Sequence, residues 1–301
     1  MPRTIRYASD PDSLFFPWKA RDEDFFPLGN AVSEAALCAE MSRVAYIKHE
    51  DTAGGRERLA RILGKVGFAV PNPSFHFNAG GTQGFVADGR TREGETVRVI
   101  AFRGTEPDDR ADLIADLDFL PDPWPAGGRV HSGFEKAFGR VADKVKTAMT
   151  NGPDRVLVTG HSLGAALATL AASVHQKSRL YTFGSPRVGN AEFAKTISRE
   201  RHSRYVDHID AVTTVPIADV LGYAHLEPAI YIDADGMPHP DLTDSTIVAL
   251  QNEAHSRGLN ILAILKQIKD RALLMGAEGI PLKDLTDHAP FNYVSALMSL
   301  K

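Results

Sequence analysis

The sequence holds a single cysteine, Cys38, in 301 residues. An internal disulfide and any cysteine-based zinc cluster are thereby excluded. Long apolar runs are also missing, since no segment offers the roughly 20 uninterrupted apolar residues of a membrane-spanning helix. Nor is there an excess of one charge: 34 Lys and Arg stand against 38 Asp and Glu, a formal net charge of −4. With a pI of about 6.3 there is no basic surplus to hold a polyanion, so nucleic acid is not expected as a partner. The opening "MPRTIRYASDPDSLFF" has no apolar run ahead of a small-residue cleavage site. No secretory signal is visible there, so the default expectation is the reducing cytoplasm, with secretion as the alternative if a leader has been removed. Internal repeats and low-complexity tracts are absent too.

What is present suits a folded core, with 43% hydrophobic and 24% charged residues. Residues 1–30 show neither helical nor strand periodicity and read as an extension lying across a single domain of residues 31–301. Apolar spacing in "NAVSEAALCAEMSRVAYI" and in "GRERLARILGKVGF" predicts two amphipathic helices. The segments "TQGFVAD" and "TVRVIAF", separated by "GRTREGE", predict a β-hairpin. Beyond residue 103 the pattern alternates. A helix is expected near 131–149, a strand at Val156 to Val158, a helix from 163, the strand "RLYTF", a helix after Gly189, and the strands "RYVDH" and "AIYID". A long helix at about 244–272 and a short one in "APFNYVSALMSL" close the chain. Short apolar strands separated by helices predict an α/β fold with a mostly parallel central sheet, an antiparallel hairpin and helices on both faces.

One stretch carries chemistry. In "RVLVTGHSLGAALATLAA" Ser162 stands between Gly160 and Gly164, where a strand-like run becomes a helix-like one. A serine hydroxyl is a weak nucleophile unless a base takes its proton and the chain projects it into a cleft. A sharp strand-to-helix turn does the latter, at the cost of bringing strand and helix so close that side chains two residues either side would collide. The glycines remove those side chains, and Ala165, Ala166, Ala168, Ala171 and Ala172 let the helix lie close to the sheet. The alternative is a plain tight turn with Ser162 as helix cap.

A nucleophile at such a turn predicts an acid and then a histidine later in the chain. Asp210, in "HIDAVTTVP" just past "RYVDH", is the favoured acid, with Asp207 as its rival. Four histidines follow. His255 suits a solvated helix face between Glu253 and Arg257, His239 a turn between Pro238 and Pro240, and His225 lies too close behind Asp210 without a fold-back. His288, in a polar loop ahead of the last helix, is the favoured base.

Together these motifs resemble the class 3 lipases, the fungal-type lipase family of the α/β-hydrolases, from about residue 31 to the end. The likeness is carried by "VIAFRGTE", "RVHSGFEKAF", "VTGHSLGAALA", "TFGSPRVGN", "DAVTTVP", "GYAH" and "DHAPFNYV", in the family's order. The resemblance implies an α/β-hydrolase fold with Ser162 as nucleophile, Asp210 as acid and His288 as base. It also implies an oxyanion hole made by Thr105 and the backbone N–H of Leu163, with His131 and His225 structural. Two positions depart from the family's habit: Ile209 stands before the acid where Asn is frequent, and Thr213 where Pro is frequent.

The implied activity is that of a serine carboxylic-ester hydrolase, a lipase or esterase acting on acylglycerols or related acyl esters, needing no cofactor and no metal. Acyl transfer to another alcohol, phospholipase A1 activity on the same residues, and a non-catalytic binding module are the alternatives. A small-molecule or lipid ester is the expected partner, with transient contact at a lipid–water interface. The resemblance places a lid at 106–120, where Leu113, Ile114 and Leu117 share one helical face and Asp109, Asp112 and Asp116 another.

Overall fold

The computed structural model describes residues 16–29, 33–49, 53–72, 75–104, 121–216, 222–255 and 287–298. Its centre is an eight-stranded sheet in the order β1-β2-β3-β6-β7-β9-β11-β12. The first three strands are β1 (His76–Ala79), β2 (Thr82–Arg90) and β3 (Thr96–Phe102), and β2 pairs antiparallel with both neighbours. The expected hairpin is thus present, extended by one strand that the sequence reading did not include. The parallel core follows: β3, β6 (Val156–His161), β7 (Arg179–Phe183), β9 (His202–Asp207) and β11 (Ala229–Ile232). Antiparallel β12 (Pro238–Leu242) closes the far edge.

The described residues form eight α-helices: α1 (Glu34–Val44), α2 (Ala53–Gly64), α3 (Ser132–Gly139), α4 (Ala142–Thr150), α5 (Leu163–Val174), α6 (Ala191–Ala194), α7 (Asp244–His255) and α8 (Pro290–Met298). Strand β3 is buried on both faces, and its side chains alternate between two cores. Val97, Val99 and Ala101 join α1, α2 and α8 on one face, while Ile100 and Phe102 join α3, α4 and α5 on the other. The fold is that of the α/β-hydrolases, a mostly parallel sheet with an antiparallel pair and helices on both faces.

Several details differ from expectation. The helix expected over 131–149 breaks into α3 and α4 at Gly139, a residue that weakens helices, with Arg140 and Val141 between the two. The turn expected around His239 is strand β12, which tolerates Pro238 and Pro240 because it lies at the sheet edge. Of the long helix expected at 244–272, α7 covers the first part and the rest lies outside the described residues. A second sheet of short strands, β4 (Pro121–Pro123), β5 (Arg129–His131), β8 (Gly189–Asn190) and β10 (Tyr223–Ala224), in the order β10-β8-β5-β4, had no sequence signal because its strands have two or three residues each.

Residues 16–29 lie against α1 and α2. Phe25 and Phe26 are buried, and the Phe26 N–H donates to Glu40 Oε1 at 2.6 Å. Arg58 holds Asp22 at 2.7 Å and the carbonyl of Trp18 at 2.6 Å, and Lys65 reaches the carbonyl of Phe25 at 2.5 Å.

Candidate active site

The parallel strands end together: Phe102 pairs with Gly160, His161 with Phe183, and Asp207 with Ile232. In open α/β sheets reactive groups collect at this carboxyl edge. Ser162 follows β6 there, with φ 60° and ψ −130°, a backbone conformation that non-glycine residues rarely adopt. A hydrogen bond from its N–H to the carbonyl of Phe183, 3.0 Å, pins the turn to the next strand.

The flanking glycines are sterically required. A Cβ on Gly160 would lie 2.2 Å from the carbonyl carbon of Gly164, and one on Gly164 would lie 2.3 Å from the carbonyl oxygen of Phe102. Leu163 opens α5, so its N–H belongs to the first helical turn, whose donors have no partner within the helix. Helix α5 is buried from Gly164 to Ser173, as its run of alanines allows.

Ser162, His288 and Asp210 meet in one line of hydrogen bonds. His288 Nε2 is 2.9 Å from Ser162 Oγ, and His288 Nδ1 is 2.8 Å from Asp210 Oδ2. All three side chains are buried. Asp210 caps the 3₁₀ turn Ala211–Thr214, its Oδ1 accepting from the N–H of Val212 at 2.9 Å. The departure at Thr213 has a visible substitute for a ring-stiffened turn, because the Thr213 hydroxyl donates to the Asp210 carbonyl at 2.7 Å. Asp207, the rival acid, lies at the end of β9, and its backbone N–H donates to the Tyr293 hydroxyl at 3.0 Å.

Two residues that the sequence reading passed over complete the setting. Tyr293, on the first turns of α8, donates its hydroxyl to Asp210 Oδ2 at 2.5 Å. Burial, and after it the neighbouring Asp210 carboxylate, push the Tyr293 phenol well above its usual range, so it remains a proton donor. Gly184, with φ +59°, leaves the space that the acid and base share: a Cβ there would lie 2.7 Å from Asp210 Oδ2 and 2.9 Å from His288 Nδ1. Both residues sit inside quoted motif blocks, "DHAPFNYV" and "TFGSPRVGN", but nothing in their residue types signals a contact with the acid.

The other histidines bond elsewhere. His225 Nε2 donates to the carbonyl of Thr213 at 2.7 Å, and burial followed by Arg204 and Arg187 hold that ring far below its usual pKa. His131 accepts from the N–H of Gly133 at 3.0 Å as the cap of α3 and stacks on Phe134 at 4.4 Å. His239 pairs with Asp233 at 2.7 Å on the hairpin. Thr105 and the lid segment 106–120 lie outside the described residues. Among the described residues no group of three or more His, Cys, Asp or Glu is placed to hold a metal ion, and no helix is long and apolar enough to cross a membrane.

A buried serine at a strained strand-to-helix turn, bonded through histidine to aspartate, is an arrangement built for acyl transfer, and residues 99–220 match the family described as Lipase (class 3). That matched stretch holds Ser162 and Asp210. The chain is 37% identical over 164 residues to secreted mono- and diacylglycerol lipase 1 of Fusarium solani, covering 49% of each chain. To secreted mono- and diacylglycerol lipase A of Penicillium cyclopium it is 31% identical over 180 residues, 56% of this chain and 57% of that one. The chain thus spans about half the length of the curated relatives it matches. A solved structure of MDLA from Penicillium cyclopium shares the fold, with a TM-score of 0.55 at 24% identity over 87% of this chain and 95% of that one.

Proposed function

We propose that this chain is a class 3 lipase, a serine carboxylic-ester hydrolase acting on acylglycerols or related acyl esters. The observation that carries the reading is the unbroken line from Ser162 Oγ through the His288 ring to Asp210, at 2.9 and 2.8 Å. His288 takes the serine proton as Oγ attacks the ester carbonyl, and Asp210 orients the ring and stabilises its cationic form. The N–H of Leu163, joined in this reading by Thr105, receives the negative charge on the carbonyl oxygen, each such donor contributing about 3 kcal/mol. The His288 proton then passes to the departing alcohol, and water, activated in turn by His288, releases the acid.

The same reading takes residues 31–301 as one catalytic domain, 106–120 as its lid and 1–30 as an extension. The names of the matched relatives support an acylglycerol as substrate and secretion as the destination. Transient contact with a lipid–water interface follows from such a substrate.

The test is the Ser162→Ala variant. It is expected to fold and to lose ester turnover on the order of 10⁴-fold or more, because no other group forms the acyl intermediate. A phosphonate probe is expected to label Ser162 in the wild-type chain. Retained activity in the variant, or labelling at Ser132 or Ser185 in place of Ser162, would overturn the reading.

A further inference from the structure

His161, immediately before the serine, is fully buried, and the proton path from Ser162 to Asp210 makes no use of it. Its Nε2 faces the main-chain carbonyl of His288 at 2.7 Å, and its Nδ1 faces the hydroxyl of Tyr46 at 2.8 Å. A carbonyl oxygen only accepts, so Nε2 carries the proton; Nδ1 of the neutral ring then accepts from the Tyr46 hydroxyl. Tyr46 is itself fully buried, two residues beyond α1.

The Tyr46 hydroxyl also abuts the end of β3. A Cβ on Gly104 would lie 2.1 Å from Tyr46 Oη and 2.6 Å from the carbonyl oxygen of His161. The hydroxyl is therefore wedged between the chain leading to Thr105 and the turn carrying Ser162. On its other side the His161 ring lies 4.5 Å, centroid to centroid, from the ring of His288.

We infer that Tyr46 and His161 are a positioning pair that fixes the main chain of His288 against the end of β3 and keeps the ring beside the base neutral. The inference rests on the hydrolase reading. Accepting the serine proton makes His288 a cation, and a second imidazolium 4.5 Å away would oppose that step, whereas a neutral ring does not. The titratable groups around His161 are Tyr46 from the end of α1, His288 from the loop before α8, Tyr293 from α8 with its ring at 5.8 Å, and, bonded to the last two, Asp210. Tyr293 stays a neutral phenol, so among these groups the charges are the Asp210 carboxylate and the transient His288 cation.

Three variants in the full chain test this, assayed for kcat and KM on a soluble ester and for the rate of phosphonate labelling. His161→Leu deletes both bonds, and misplacement of the base is expected to lower kcat by about 10²-fold with KM little changed. His161→Gln can donate from its amide nitrogen to the His288 carbonyl and accept from Tyr46 at its amide oxygen, without titrating. Most of the activity is expected to return. Tyr46→Phe leaves Nδ1 of His161 open to a proton, so the acid limb of its kcat profile is expected to lie at higher pH than in the wild type and in His161→Gln.

Thermal midpoints measured alongside show whether each variant folds; should His161→Leu not fold, the other two decide the matter. A folded His161→Leu with wild-type kcat, or an unmoved acid limb in Tyr46→Phe with changes confined to KM or the midpoint, overturns the inference. A wild-type chain that the phosphonate does not label would instead overturn the hydrolase reading.

Discussion

At Asp210 both carboxylate oxygens are engaged: Oδ1 takes the N–H of Val212, and Oδ2 takes the His288 ring and the Tyr293 hydroxyl. Removing the charge while keeping the shape is therefore a sharp probe. Asp210→Asn puts an amide where the imidazolium needs a carboxylate, and ester turnover is expected to fall on the order of 10⁴-fold, as when a serine–histidine pair is left with the wrong tautomer. Asp207 meets Tyr293 through its backbone N–H, which Asp207→Asn retains, so a fall of less than about tenfold is expected there. Equal losses in steady-state assays would show that the acid has been assigned to the wrong residue. That Ser162, Asp210 and His288 would come together was legible in the sequence, because a glycine-flanked serine has few uses and the order of the partners is constrained. Gly184 and Tyr293 were not, since one acts by leaving a space and the other through a single bond, and neither leaves a pattern along the chain.

Among elements, those with a period announced themselves. "TVRVIAF" and "RLYTF" are apolar enough for strands covered on both faces, and both are central strands of the sheet. Elements held by tertiary contacts alone did not: β8 and β10 are two residues long, and α6 is a single turn. The proposed lid at 106–120 lies outside the described residues; read as a helix, its sequence would give a narrow apolar stripe with an acidic flank, a face poorly suited to anionic lipid surfaces. Hydrolysis of short- to medium-chain esters is accordingly expected below their solubility limit, with only a modest rise once droplets form. A rate profile across that limit measures this directly. Near-zero activity beneath it, followed by a steep jump, would contradict the reading of the stripe.

For the molecule as a whole, buried histidines contribute to the response to acid. His49 is fully buried with its Nδ1 3.1 Å from that of His76, and burial first, then His76, Arg103 and Arg56, push its pKa down to about 3. The unfolded chain takes up a proton at His49 once the pH drops below about 6.5, while the folded chain does not until about 3. Stability present above pH 6.5 is therefore lost as the pH falls through that window, by up to about 1.4 kcal/mol per pH unit for this one proton. Urea midpoints at pH 7 and pH 4.5 are expected to differ less in His49→Phe than in the wild type, and parallel losses would rule out this origin. The outer strand β12 bears on a different property, the behaviour of many copies together. An exposed strand edge is a template on which another chain can add itself, and proline, having no N–H, cannot take part in that pairing. Among the described residues β12 has no outer neighbour, and Pro238 and Pro240 on it are expected to guard against fibrous association. A Pro240→Val variant is expected to fold and turn over ester as before, yet to scatter light sooner than the wild type when concentrated and warmed.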